Sequence, residues 1–175
     1  MSVHIPHYNS KTIFKFRKQT NKLLKQYEYV GLPLLNESWK DYKENLKTPK
    51  AVLLTKKRDF GNLYLLCILE CGQASILDLK TSEWYFIGQC RKVVSGAIII
   101  IVDFSKFKTS TLFGGHITLM DVLVYDNENI ADFDFYERFE VTKTIPITFP
   151  SRYTQSVAML PDSGQSENLN IYILS

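Results

Sequence analysis

The stretch "GGHITLMDVLVYDNENIADFDFYERFE", residues 114–140, decides how this chain is read. Residues 117–125 are apolar and β-branched enough to form a strand, yet Asp121 stands in the middle of the run. An acidic turn follows, and then a Tyr136-Glu137-Arg138 cluster. The pattern asks why a chain would bury an acid inside a strand and place an arginine so soon after the turn. Taken alone, Asp121 reads as an edge or turn-facing carboxylate with a hydrogen bond. Arg138 beside Glu137 reads as a surface helix pair.

Working outward, strand follows strand from residue 50 onward. "AVLLT", "LYLLCIL", "ASILDL", "EWYFIG", "AIIIIV", "IPITF" and "NIYIL" are rich in β-branched and aromatic residues, with Gly, Asn, Asp and Ser between them. "LPDSGQSEN" near the end reads as a loop. Toward the N-terminus the period changes. With Ser10 as N-cap, Ile13, Phe16, Thr20, Leu23 and Tyr27 fall on one face of a helix over 11–28, which Gly31 and Pro33 end. A second, weaker helix is expected near "ESWKDYKENL", with Trp39, Tyr42 and Leu46 as its apolar stripe. The expected fold is α+β: a basic N-terminal helical arm (1–49) packed on a mostly antiparallel β-sheet in a β-rich core domain (50–175).

At 175 residues, 45% of them hydrophobic, the chain is one domain's length with enough apolar surface for a real core. The longest strongly apolar run, "AIIIIV", is far short of the ~20 residues a membrane span needs. The first ten residues carry no signal-peptide pattern, so an intracellular protein, cytoplasmic or nuclear, is expected. Cys67, Cys71 and Cys90 are odd in number, which argues against a disulfide framework; Cys67 and Cys71, even with His4 and His7, match no compact zinc spacing and read as buried strand thiols. His116 reads as a core or turn histidine. No phosphate loop, Gly-x-Ser-x-Gly elbow or His-Glu-x-x-His motif is present.

Charge is uneven. Residues 1–50 hold ten Lys/Arg against four acids, a net of +6, within a whole-chain charge of +3, so residues 51–175 carry −3. Lys15, Arg17, Lys18, Lys22 and Lys25 on the first helix are candidate nucleic-acid contacts, with Phe14, Phe16 and Tyr27 interleaved. Such an arm implies an anionic partner, RNA ahead of a membrane surface, and allows self-association or a place in a larger nucleoprotein complex.

Residues 117–140 also resemble a segment of the covalent nucleotidyltransferases, the superfamily of mRNA-capping guanylyltransferases and ATP-dependent ligases. There an apolar strand bearing Asp is followed by a turn and an Arg-bearing helix; here the pieces are "TLMDVLVYD", "NENIADF" and "DFYERFE". Upstream, Lys57-Arg58-Asp59 resembles that family's Lys-x-Asp-Gly nucleophile motif, with Phe60 where its glycine stands and Gly61 one place later. "VVSGAIIIIVD" matches the family's Asp-Gly-Glu at Gly96, while Ser95 and Ala97 replace both carboxylates. After residue 140 no Asp-Gly-apolar or Lys-x-Lys strand follows.

The resemblance implies Lys57 as the ancestral catalytic nucleophile, and Lys56, Arg58, Asp59 and Asp121 as nucleotide-binding residues in one groove with it. It also implies a core that has lost its chemistry, as in the snurportin-type cap-binding domain. A lysine attacks a phosphate only as a free amine, and the transferring phosphoryl group needs a metal held by carboxylates. With Ser95 and Ala97 in those places, the expectation is a non-catalytic nucleic-acid- or nucleotide/cap-binding module with no cofactor and no bound metal. Residual lysyl-nucleotidyl transfer is a second alternative. The rival class is structural: "VLVYDNENIADF" is similar to late hairpins of small viral matrix proteins, which also join a basic arm to one α+β domain.

Overall fold

In the computed structural model the described residues are 10–26, 34–37, 51–56, 62–78, 81, 83–106, 114–159 and 169–174. The elements run α1 (Ser10–Gln26), β1 (Leu34–Glu37), β2 (Ala51–Lys56), β3 (Asn62–Ile68), β4 (Gln73–Asp78), β5 (Trp84–Gln89), β6 (Arg91–Lys92), β7 (Ile98–Lys106), β8 (Gly115–Tyr125), β9 (Glu128–Asn129), α2 (Phe135–Thr144), β10 (Ile147–Thr148), β11 (Tyr153–Val157) and β12 (Leu169–Leu174). The class is α+β with the sheet dominant, as expected.

The main sheet has the order β11-β8-β7-β3-β4-β5, with β9 paired to β8. Every pairing in it is antiparallel except β11 with β8. The sheet curls until its two ends approach. Arg152, just before edge strand β11, donates through Nη2 to the carbonyl of Ile87 in the opposite edge strand, and β10 pairs with β6. Gly88 (φ +120°) permits this seam: a Cβ there would lie 3.1 Å from Arg152 Nη2 and 3.4 Å from Pro150 Cγ.

Curling gives the sheet two apolar faces. Leu66, Ile68, Ile76, Ile98, Ile100, Val102, Ile117 and Val122 fill the concave side. Leu65, Cys67, Ile99, Ile101 and Met120 face outward, where Leu23 of α1 and Phe139 of α2 cover them. That is why "AIIIIV" is continuous rather than alternating: both faces of β7 are buried. Each of these fully buried aliphatic side chains contributes roughly 1.5–3 kcal/mol by leaving water.

β8 is irregular where it matters. Its register with β7 shifts twice, so that Val102 faces Leu119 while Ile101 faces Asp121, leaving Met120 as an extra residue. A bulge of this kind re-aims neighbouring side chains. Here it puts both Met120 and Asp121 on the outward side, beneath α2. At its far end, Asp126 (φ 51°) and Asn127 (φ 66°) form the two-residue hairpin turn into β9, a conformation that Asp and Asn tolerate. The same two side chains cap the backbone entering β7: Asp126 Oδ1 accepts from Gly96 N and Asn127 Oδ1 from Ala97 N, each at 2.8 Å. Gly96 is needed for that approach, because a Cβ would sit 2.5 Å from the Asp126 carbonyl carbon.

Several expectations are corrected. The expected helix at 37–46 begins on Glu37, which lies in β1; the rest of that segment is outside the described residues. β1 pairs with β12, and β12 with β2, in one small sheet. "IPITF" contributes only Ile147–Thr148, since Pro146 has no N–H to give a ladder. Strand β11, "YTQSV", was not expected: its exposed polar residues give no apolar run, and β8 supplies its pairing. The loop at 160–168 and Tyr27 are outside the described residues.

Candidate functional site

α1 lies on the outward face of the sheet. Thr20 and Leu23 are buried, Phe16 stacks on Phe86 of β5 at 5.9 Å between ring centroids, and Leu24 packs against the same cluster. Thr20 Oγ1 donates back to the Phe16 carbonyl at 2.8 Å, which satisfies this buried hydroxyl. The lysines are spaced four, three, four and three apart, at 11, 15, 18, 22 and 25. At 3.6 residues per turn this spacing sets all five within a stripe about 80° wide, opposite the buried face, along about 21 Å of helix. All five are exposed, and so is Arg17. The helix contains no Asp or Glu, so no acid of its own neutralises the stripe.

Aromatic rings lie beside these cations. Lys18 Nζ stands 5.0 Å from the centroid of Phe14, and Arg17 Cζ 5.8 Å from that of Trp84 on β5. Phe14 is 59% exposed, so it does not serve the core.

A groove of about 510 Å³ opens where α1 meets the β3–β4 turn. Leu23, Leu69 and Ala97 form its apolar part, and Lys22, Glu70 and Cys71 its polar rim. Asn127 Nδ2 donates to Glu70 Oε1 at 3.1 Å across it. Cys71 is exposed in the turn, which corrects its reading as a buried strand thiol. Cys67 is in β3 and buried, and burial drives its thiol pKa far up. Cys90, buried between β5 and β6, is pushed up to about 12 by burial.

The two residues singled out in 114–140 meet each other. Asp121 is wholly buried in mid-strand, so the edge or turn-facing reading is corrected. Arg138 is buried on α2 rather than paired at the surface. Its Nε donates to Asp121 Oδ1 at 2.8 Å and its Nη2 to Oδ2 at 3.1 Å, a two-pronged pair. Nη1 reaches the carbonyls of Ala131 and Phe133 in the preceding loop. Burial holds the Asp121 carboxyl above the usual carboxylate range, while the Arg138 hydrogen bond and charge oppose that shift. With both oxygens engaged inside the sheet–helix interface, Asp121 presents no carboxylate to a ligand.

Lys56 ends β2, opposite Leu169. Lys57, Arg58 and Asp59 lie outside the described residues, so the expected shared groove of Lys57 and Asp121 does too on its lysine side. Ala97 is buried behind Asn127. His116 is a buried strand residue of β8 whose ring nitrogens meet Thr154 Oγ1 at 2.6 Å and Ser156 Oγ at 2.7 Å. The sequence reading missed those two hydroxyls with β11 itself, and it missed Trp84 and Cys71 as companions of α1. The lysine spacing was legible; which sheet residues would lie beside it was not.

The chain matches no known protein family and no curated protein.

Proposed function

We propose that this chain is a non-catalytic nucleic-acid-binding module, with RNA as the partner, and that the lysine stripe of α1 is its contact surface. The observation that carries this reading is five exposed lysines in one line, opposite the helix's docked face and with no acid in the helix. A row of cations at about 5 Å intervals suits a phosphate backbone, where affinity comes from releasing condensed counterions. The nucleotidyltransferase likeness belongs to this reading as ancestry only. Lys57 has no metal-holding carboxylates at Ser95 and Ala97 to support transfer.

The matrix-type alternative has the basic arm bind ribonucleoprotein or membrane, and its membrane form would need α1 to insert an apolar face into lipid. That face is already spent, with Leu23 buried and Phe16 stacked on Phe86. No helix among the described residues is long and apolar enough to cross a membrane.

Charge reversal at Lys18, Lys22 and Lys25 tests the reading. RNA affinity should collapse, and single replacements by glutamine should each lower the slope of log K against log salt by about one unit or less. RNA binding untouched by the triple reversal would refute it.

A further inference from the structure

The lysine stripe explains attraction to any polyanion, duplex or single strand. It does not explain Phe14. A large side chain 59% exposed on a helix otherwise lined with cations makes no contribution to the core. Phe14, Arg17 and Lys18 stand at i, i+3 and i+4, so they share one flank of α1. Lys18 Nζ lies 5.0 Å from the Phe14 ring, and Arg17 leans over half-buried Trp84 of β5 at 5.8 Å. Two aromatic rings, each with a cation at its face, thus border the stripe on the side toward β5.

We infer that this flank is a stacking platform for unpaired bases, so that the partner is a single-stranded nucleic acid rather than a duplex. The inference rests on the nucleic-acid reading above and narrows it. Every base has a π face, and stacking on an exposed aromatic ring is tolerant of sequence. In a duplex those faces are already occupied by neighbouring base pairs, and only phosphates are offered to a helix surface. The cation–ring contacts are exchangeable: Lys18 moves from the Phe14 face to a phosphate, and a base takes the face it leaves. Arg17 can remain over Trp84 and present its guanidinium edge to the next phosphate, because stacking leaves its N–H donors free in the ring plane.

Phe14→Leu is the deciding variant, since it keeps an apolar, helix-compatible residue and removes only the ring. A dye-labelled oligouridylate and an RNA duplex of equal length are titrated by fluorescence anisotropy at one salt concentration. Single-strand affinity should fall about tenfold or more, as loss of one base–aromatic stack predicts. Duplex affinity and the salt slope should stay put, and Phe14→Trp should retain the single-strand preference. Equal affinities of Phe14→Leu and wild type for the oligouridylate would overturn the stacking platform. Loss of affinity for phosphatidylserine vesicles in place of the oligouridylate would overturn it in favour of a membrane surface. The triple lysine reversal separates the two levels. If it abolishes binding while Phe14→Leu does nothing, the stripe binds nucleic acid without stacking. If it too does nothing, the nucleic-acid reading itself has failed.

Discussion

Arg138 holds both carboxylate oxygens of Asp121 across 17 residues of chain, at 2.8 and 3.1 Å, beneath the helix that carries it. The pair is one of two hydrogen-bonded ties between α2 and the bulged part of β8. The other is Thr142, whose Oγ1 accepts from Val122 N at 3.2 Å and donates to the Arg138 carbonyl at 2.8 Å. A bulge disturbs its own ladder, and here helix side chains take up the backbone and carboxylate groups that it redirects.

Removing one member of this pair should cost far more than removing both. Asp121→Leu leaves a buried guanidinium without its anion, and Arg138→Leu leaves a buried carboxyl; each should destabilise by about 3–5 kcal/mol. The double variant should recover much of that loss, because two apolar groups in the same space have no desolvation debt. Guanidinium chloride unfolding of the three variants provides the cycle. Additive losses in the double variant would show that the two residues act separately.

The pH dependence of the pair should run opposite to that of an exposed ion pair. Burial raises the Asp121 carboxyl above its ordinary value of 3.8 in the folded protein. Between that value and the raised one, the folded state binds a proton that the unfolded state has released, so this group's contribution falls as pH rises. It is fully present below the ordinary carboxylate range and is lost through the raised pKa. Against Asp121→Asn, which does not titrate, the wild type should therefore be relatively most stable at the acid end. A gap that widens upward through this window would mean that attraction to Arg138 outweighs burial.

Thiol chemistry should separate the three cysteines cleanly. Cys71 is exposed in the β3–β4 turn, while Cys67 and Cys90 are buried with their pKa values raised. Thiolate, not thiol, reacts. Native protein at neutral pH should give one equivalent with a chromogenic disulfide reagent, lost in Cys71→Ser, and three equivalents when unfolded. Two or three fast equivalents in the native state would show that the β3–β5 region opens readily.

How much of this was written locally can be judged residue by residue. The lysine line of α1 and its opposite face of Phe16, Thr20 and Leu23 follow from a period of 3.6, and β3, β7 and β8 from continuous apolar runs, both of which a chain carries along its own length. Those local signals settled the class, α+β, with a lysine-bearing first helix. The partners of polar groups are not encoded at such short range. Asp121 reads from sequence as an edge or turn-facing carboxylate because its arginine comes after a turn, and Gly96 as a motif glycine because the turn it accommodates lies 30 residues further on. β11 carries no apolar signature of its own and exists through its pairing with β8 and the hydroxyls that His116 gathers 38 and 40 residues away. Local apolar patterning determined which segments and which helix face are buried; only the curled sheet, by bringing distant strands within hydrogen-bond reach, decided which buried charges are paired and which rings stand beside the lysines.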